Sequence, residues 1–255
     1  MKKNITKIPF VVRCYKLLRR LNNFIVFTHD FYVFKRQSAK TDNRLDLKWK
    51  DRYPCLDDKT STTEFDRHYM FHPAWAVRIL STISPEVHVD ISSILLFSAL
   101  ISAFIPVKFY DYRPANFKLS GLSCEQADLV SLPFVSRSLY SVSCMHVVEH
   151  IGMGRYGDTI DPDGDLKAIS ELQRVLAIGG SLLFVVPIGK PKIMFNAHRI
   201  YSYDQIVSYF YELKLKEFTL IPDQPVESGF IKNASRETSN TQTYGCGCFW
   251  FMREA

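Results

Sequence analysis

At 255 residues, 47% hydrophobic and 23% charged, the chain has the composition of a folded α/β domain with an extension, which excludes a disordered polymer. The net charge of +6 is uneven: basic residues crowd the first fifty positions, from Lys2 and Lys3 through Arg19 and Arg20 to Lys48 and Lys50, and the remainder is close to neutral. The cysteines are scattered without a CxxC pair, and Cys246-Gly-Cys248 is too tight for a common zinc knuckle, so free thiols in a reducing compartment are expected and a disulfide framework is not.

Residues 1–50 mix Phe10, Val11, Tyr15, Leu17, Leu18, Leu21, Phe24 and Ile25 with basic side chains. Arg13, Lys16, Arg19 and Arg20 interrupt what a secretory signal needs as an apolar stretch. A basic helical extension is expected, packed on its own domain, with a peripheral place on an anionic membrane surface or on a partner enzyme as the second reading. The apolar run from Ile91 to Val107 contains serines and Pro106 and falls short of a spanning helix, which makes the expected location cytoplasmic. The basic residues sit in one tail with no nucleic-acid module around them, so nucleic acid is not expected as a partner.

A dense patch, Glu64-Phe-Asp-Arg-His68-Tyr-Met-Phe-His72-Pro-Ala-Trp75, precedes a short helix expected over Ala74 to Leu80. From Val87 onward strands and helices alternate, the pattern of a parallel sheet covered on both faces. Strands are read at 87–90, 107–111, 122–128, 139–145 and 181–187, and an apolar helix at 93–104. Asp165 is read as the cap of a helix whose Leu166, Ile169, Leu172, Val175 and Leu176 share a face, ended by Gly179-Gly180. Ser202-Tyr-Asp-Gln205 is a capping box opening a helix through Leu213; two closing strands follow at 218–221 and 246–252, with a polar loop over 224–243. The expected division is an extension over 1–50 and a domain over 51–255, with a core at 83–221, lid or substrate elements at 51–82 and 188–201, and a C-terminal strand at 244–252.

Asp90 and Asp111 both close strands, about 20 residues apart, the distance expected between a cofactor turn and a ribose-binding acid. Downstream come Ala127-Asp-Leu-Val-Ser-Leu-Pro-Phe134, then Met145-His-Val-Val-Glu149-His150-Ile, then Glu171-Leu-Gln-Arg-Val-Leu-Ala-Ile-Gly179-Gly180-Ser-Leu-Leu-Phe-Val-Val-Pro187. In order and spacing these segments resemble the class I methyltransferases. The resemblance implies a Rossmann-like fold, a mostly parallel seven-stranded sheet with helices on both faces. It implies S-adenosylmethionine as cofactor, held by Asp90, Ser92, Asp111, Asp128 near the adenine amino group, and the fourth-strand end at His146. A narrower resemblance, carried by His146 to Asp165, Phe195-Asn-Ala-His-Arg199, the Tyr53 to Trp75 patch and Cys246-Gly-Cys-Phe, is to the "domain of unknown function 268" family. Its members often accompany polysaccharide assembly enzymes, which implies a glycan or other small hydroxyl-bearing acceptor. One departure stands out: the glycine-rich cofactor turn of the class reads here Asp90-Ile-Ser-Ser-Ile-Leu-Leu, without glycine, and a Cβ there presses on a close-packed ligand.

Methyl transfer to oxygen requires alignment and removal of a weakly acidic proton. His150 and His198, at loops after the fourth and fifth strands, are the candidate bases, with Glu149 to orient either; Asn196 and Arg199 are candidates for holding substrate hydroxyls, and His68 and His72 for a lid. No metal is expected in the site. Two other readings are carried: an inactive methyltransferase-like partner in polysaccharide biosynthesis, and a metal hydrolase built on the HxxEH letters of His146, Glu149 and His150. Gly152, Gly154 and Gly157 follow those letters and work against the helix that such a hydrolase needs. Asp161-Pro-Asp163-Gly-Asp165 lacks the glycine and glutamate positions of a calcium loop.

Overall fold

The computed structural model describes residues 7–40 and 45–255, with side chains from residue 12 onward. Lys2, Lys3 and Arg44 of the basic run, and the side chains of Phe10 and Val11, lie outside the described residues. The chain forms two compact units, Met1–Glu64 and Phe65–Ala255.

The first unit is one long helix, α1 (Lys7–Ser38), followed by a short turn of 3-10 helix at Trp49–Asp51. Its fixed point is Trp49, which meets Phe31 edge-on at 4.8 Å, stacks on Tyr32 at 6.1 Å and carries the Arg52 guanidinium 4.5 Å above its ring. Leu17, Leu18, Ile25 and Phe34 remain exposed and do not share one face of the helix. No helix among the described residues is long and apolar enough to cross a membrane.

In the second unit the elements run α2 (Arg67–Ile83), β1 (His88–Ile91), α3 (Leu95–Ile101), β2 (Val107–Asp111), β3 (Leu122–Gln126), β4 (Leu139–Met145), α4 (Gly164–Val175), β5 (Leu176–Ile188), β6 (Lys192–Met194), β7 (His198–Ile200), α5 (Tyr203–Tyr209), β8 (Lys214–Ile221), β9 (Ile231–Lys232), α6 (Arg236–Asn240) and β10 (Gly245–Met252). The main sheet has the order β3-β2-β1-β4-β5-β10-β8-β9, and β6 pairs with β7 in a separate ribbon. Strands β1 to β5 are parallel, while β10 runs antiparallel between β5 and β8. The chain moves outward from β1 to β3 and then returns to β4 on the other side of β1, which makes the β1/β4 seam a topological switch point.

Alternation along the strands sorts the core into two layers. Leu182, Phe184 and Val186 of β5 join Phe249 and Phe251 of β10 beneath Ile169 and Leu172 of α4 and Ile206 of α5. Leu183 and Val185 point the other way and, with Cys246 and Cys248, pack under Trp75, Ile79 and Leu80 of α2 and Phe97 of α3. Trp75 donates its indole N–H to Glu217 at 2.9 Å, and Trp250 donates to Ser181 at 3.0 Å, so both buried-side indoles satisfy their polar edge.

Several local expectations change. The sheet has eight strands and not seven, because the two-residue β9 extends the edge from within the segment read as a loop. Helix α2 starts at Arg67, capped by Asp66, and runs through Pro73. The helix read over 93–104 is confined to Leu95–Ile101, and the one read through Leu213 stops at Tyr209. Asp165 does not cap α4: its buried carboxylate accepts the Tyr201 hydroxyl at 2.8 Å and lies 3.5 Å from Arg199. Gly179 and Gly180 do not end that helix either. It ends at Val175, and the glycines form an irregularity within β5, where pairing with β4 jumps from Leu176 to Ser181.

Candidate functional site

A cavity of about 320 Å³ opens where the carboxyl ends of β1, β2 and β4 meet, inside the range of small-molecule sites. Ser92 follows β1, Asp111 ends β2, Asp128 follows β3, and His146 and His150 follow β4; all five line it. The segment Ile151 to Gly164 supplies the remaining wall, with Gly152, Tyr156 and Asp158 among its lining residues. The open-sheet rule locates ligands here because the loops diverge at the switch point and leave strand ends uncovered.

The turn after β1 keeps the backbone that its glycine-free sequence seemed to forbid. Ser92 adopts φ +55°, a left-handed conformation usually left to glycine, and its N–H donates to the Tyr110 carbonyl at 2.7 Å while its hydroxyl reaches the same oxygen at 3.2 Å. Ile91 is buried in the core and Ser93 turns inward, where its hydroxyl accepts the Met145 N–H at 3.0 Å. Neither side chain lines the cavity.

Asp90 is not among the cavity residues. It is fully buried, accepting Ser143 Oγ at 2.7 Å and the hydroxyl of Ser98, and Ser143 in turn bonds to His88 Nε2 at 2.8 Å. Since Ser143 spends its proton on Asp90, His88 must donate from Nε2, which leaves Nδ1 to accept from Ser141 at 2.7 Å. Burial pushes Asp90 up to about 6 against the serine hydrogen bonds, and burial pushes His88 down to about 3. Asp111 and Asp128 stay at the cavity wall. Each accepts a backbone N–H two residues on, from Arg113 at 2.7 Å and from Val130 at 3.1 Å, which fixes the carboxylate direction.

Behind the wall lies a cluster of histidines. His146, at φ +58°, leaves β4 sharply; only Val148–His150 then forms a single 3-10 turn. The HxxEH letters therefore do not lie on an α-helix. His146 and His150 point to different partners: His146 Nδ1 meets buried Glu149 Oε1 at 2.8 Å, and His150 Nδ1 donates to the Ala197 carbonyl at 2.5 Å. His68 and Tyr69 stack on the His146 ring at 5.5 Å, and His72 meets it edge-on at 5.1 Å. Burial, then the charge of His146, lowers His68 to about 4 and His72 to about 3, so both stay neutral near pH 7. Burial opposes a charge on His146, but Cys246 and the Glu149 carboxylate outweigh it and raise this imidazole to about 10. Three buried nitrogen or oxygen atoms of the cluster have no hydrogen-bond partner: His72 Nε2, Glu149 Oε2 and His198 Nε2.

His198 packs against Tyr244 at 4.9 Å and approaches the His150 ring at 6.4 Å, so it borders the cluster without lining the cavity. Asn196 is an exposed left-handed turn residue between β6 and β7. Arg199 is buried, with its guanidinium donating to the Ile151 carbonyl at 2.6 Å and the Pro162 carbonyl at 3.1 Å. That commitment ties β7 to the cavity loop and leaves little of the side chain for a substrate. The acids of the Asp161 to Asp165 run are likewise divided, Asp161 pairing with Lys167 at 2.6 Å and Asp165 with Arg199.

Two residues absent from the sequence reading belong to the site. Asp158 accepts the N–H groups of Gly152 at 2.8 Å, Gly154 at 3.3 Å and Tyr156 at 3.1 Å, so one carboxylate organises the loop. Burial works against its charge, and those N–H donors outweigh burial and hold it below the usual carboxylate range. Tyr156 lies between Arg113, 4.6 Å from the ring, and Arg155, 5.0 Å from it. The cluster of glycines was the available signal for such a loop; its central acid carried none.

Comparison with known proteins agrees with this architecture. The N-methyltransferase NodS from Bradyrhizobium japonicum WM9, solved with S-adenosyl-L-homocysteine, aligns over 86% of this chain and 98% of its own, with a TM-score of 0.52 and 16% identity. The YcgJ protein from Bacillus subtilis aligns over 73% of this chain and 99% of its own, with a TM-score of 0.50 and 12% identity. No curated protein matches by sequence. The family described as "Caenorhabditis protein of unknown function, DUF268" matches residues 125–241, from the end of β3 through α6. The chain thus has the class I methyltransferase fold and is similar to the DUF268 family over residues 125–241.

Proposed function

We propose that this chain is an S-adenosylmethionine-dependent methyltransferase whose acceptor is a small hydroxyl-bearing molecule, with a saccharide as the leading class. The observation that carries the reading is the cavity at the switch point, walled by Asp111, Asp128 and the left-handed turn at Ser92. Those residues fit an adenosyl group: a carboxylate at the end of β2 accepts ribose hydroxyls, and a second one beyond β3 accepts an adenine amino group. The cofactor, when bound, supplies an electrophilic methyl on a sulfonium. Asp90 acts one step back, holding the turn in place through Ser98 and Ser143.

His150 is the residue assigned to the proton. Its Nδ1–H is committed to a carbonyl, which can only accept, so Nε2 carries the free lone pair at the cavity wall. Glu149 Oε1 stands 3.9 Å from that nitrogen. His198 and His68, which border the wall residues His150 and His146, are assigned to the acceptor side of the site, whereas His72 is fully buried and Asn196 lies on the exposed β6–β7 turn.

Titration calorimetry of the purified chain with S-adenosylmethionine and S-adenosylhomocysteine tests the reading. Measurable binding is expected, weakened roughly tenfold or more in Asp111→Ala through the loss of a charged hydrogen-bond acceptor. Absence of heat at millimolar ligand, with the protein folded, would favour the second reading, a non-catalytic partner in polysaccharide assembly. The Cβ of Ser92 beside the cavity is the observation behind that second reading.

A further inference from the structure

Three elements far apart in the chain converge behind the cavity wall. His68 lies in the first turn of α2, His146 at the exit of β4 and Cys246 near the start of β10. Each offers one ligand atom, and the three atoms lie within 4.8 Å of one another; Cys246 Sγ is 3.4 Å from His146 Nε2. Around a tetrahedral zinc ion, sulfur and imidazole nitrogens stand about 3.5 Å apart, from metal–ligand lengths of about 2.0–2.3 Å. The rings of His68 and His146 lie 10° from parallel, so His68 must turn toward the sulfur for the set to close to that spacing.

The surroundings fit a cation as well as the three atoms do. Glu149 bonds to His146 Nδ1, so that the opposite nitrogen faces the sulfur, the carboxylate–histidine relay that orients metal-bound imidazoles. The other oxygen of Glu149 is buried and has no hydrogen-bond partner, so the cluster holds an unused acceptor beside the three ligand atoms. His72 adds a second buried nitrogen without a partner, its ring 5.1 Å from that of His146.

We propose that His68, His146 and Cys246 form a binding site for a thiophilic divalent cation of the zinc class, adjoining the cavity and sharing His146 with its wall. One thiolate with two imidazoles selects zinc or cobalt over magnesium or calcium, which prefer oxygen ligands. The metal displaces the single proton held between Cys246 Sγ and His146 Nε2, which leaves to solvent, so that thiolate and neutral imidazole both face the ion, and it ties α2 to the strand ends that form the cavity. Three protein ligands leave a fourth position for water.

The test uses the full chain, stripped with a chelator and titrated with cobalt(II) alone, then zinc(II) alone. One ion per chain is expected, with a thiolate-to-cobalt charge-transfer band in the near ultraviolet and zinc displacing cobalt. Cys246→Ser should abolish that band and weaken zinc binding roughly 100-fold. His68→Asn should weaken zinc by a similar factor while keeping the band, and Cys124→Ser, distant from the cluster, should change neither. Failure to retain metal through gel filtration overturns the proposal, as does a charge-transfer band that survives in Cys246→Ser. Should Cys246→Ser not fold, the half-buried His68→Asn decides alone: unchanged zinc affinity overturns the site. Cofactor calorimetry on the same samples separates this outcome from the fate of the methyltransferase reading.

Discussion

Asp90 shows how one side chain can be read correctly in position and differently in role. A carboxylate closing the first strand looks like a ligand group, yet it is enclosed by Ser98 and by Ser143, a residue on the neighbouring strand. That partnership depends on the β1/β4 register, which pairs Asp90 with Ser143 and has no local sequence signal. The enclosure has a pH signature. Asp90 lies at about 6 in the fold and 3.8 outside it, so it contributes stability at low pH that is lost as pH rises from about 4 to about 6. His88, at about 3 in the fold against 6.5, runs in the opposite sense, losing stability as pH falls through that window. The two slopes offset each other in the parent chain. In Asp90→Asn the Asp90 slope is removed and the His88 slope remains, so variant stability minus parent stability should rise by about 2 kcal/mol between pH 4 and 6. Denaturant midpoints at several pH values check this, and parallel profiles would sink it. Ser92 offers a second residue-scale test. Ser92→Gly relieves a left-handed strain of about 1 kcal/mol and removes a Cβ from the cavity wall. It should therefore tighten S-adenosylmethionine several-fold in calorimetry without lowering the melting temperature; weaker binding contradicts the assigned role of the turn.

Among the elements, the loop from Ile151 to Asp163 is the one whose form the sequence announced only as irregular. Its glycines were visible; the reason for them was not. Gly152 has φ +79°, and a Cβ there would lie 2.0 Å from the Asp161 carbonyl oxygen, so the backbone at Gly152 packs directly against that of Asp161. Gly152→Ala should cost more than about 2 kcal/mol and open the cavity wall to proteolysis, read by limited digestion and thermal melting. The β4–α4–β5 series was legible because strongly apolar strands and a one-faced helix follow one another. The boundary between α4 and β5 was not, since Leu176 continues the helical apolar stripe while the backbone has already become extended. The short β9 was invisible for a related reason: two residues are too few to show a period.

For the whole molecule, the alternating pattern was enough to give the parallel sheet with helices on both faces, because burial on two sides demands that composition. What composition cannot give is which distant residues meet: His68, His146 and Cys246 come together only when α2, β4 and β10 are in place. Strand β10 joins the parallel half of the main sheet to β8 and β9, and its end is locked by Arg253. That buried guanidinium donates to the Leu176 carbonyl at 3.0 Å, the Gln173 carbonyl at 2.7 Å and Glu212 at 2.8 Å. Arg253→Ala strands three acceptors at once and should lower global stability by about 3 kcal/mol, measured by denaturant unfolding. A change under about 0.5 kcal/mol would show that the strand is held by its ladder alone.

The placement of the three tryptophans gives the molecule its own optical reporters. Trp49 belongs to the aromatic knot of the first unit, whereas Trp75 and Trp250 both donate to side chains in the second. With Trp49→Phe, emission follows the second unit only, and its difference from the parent signal follows the first. Two fluorescence traces from a single denaturation series therefore reveal whether the long helix and the sheet melt together or in succession.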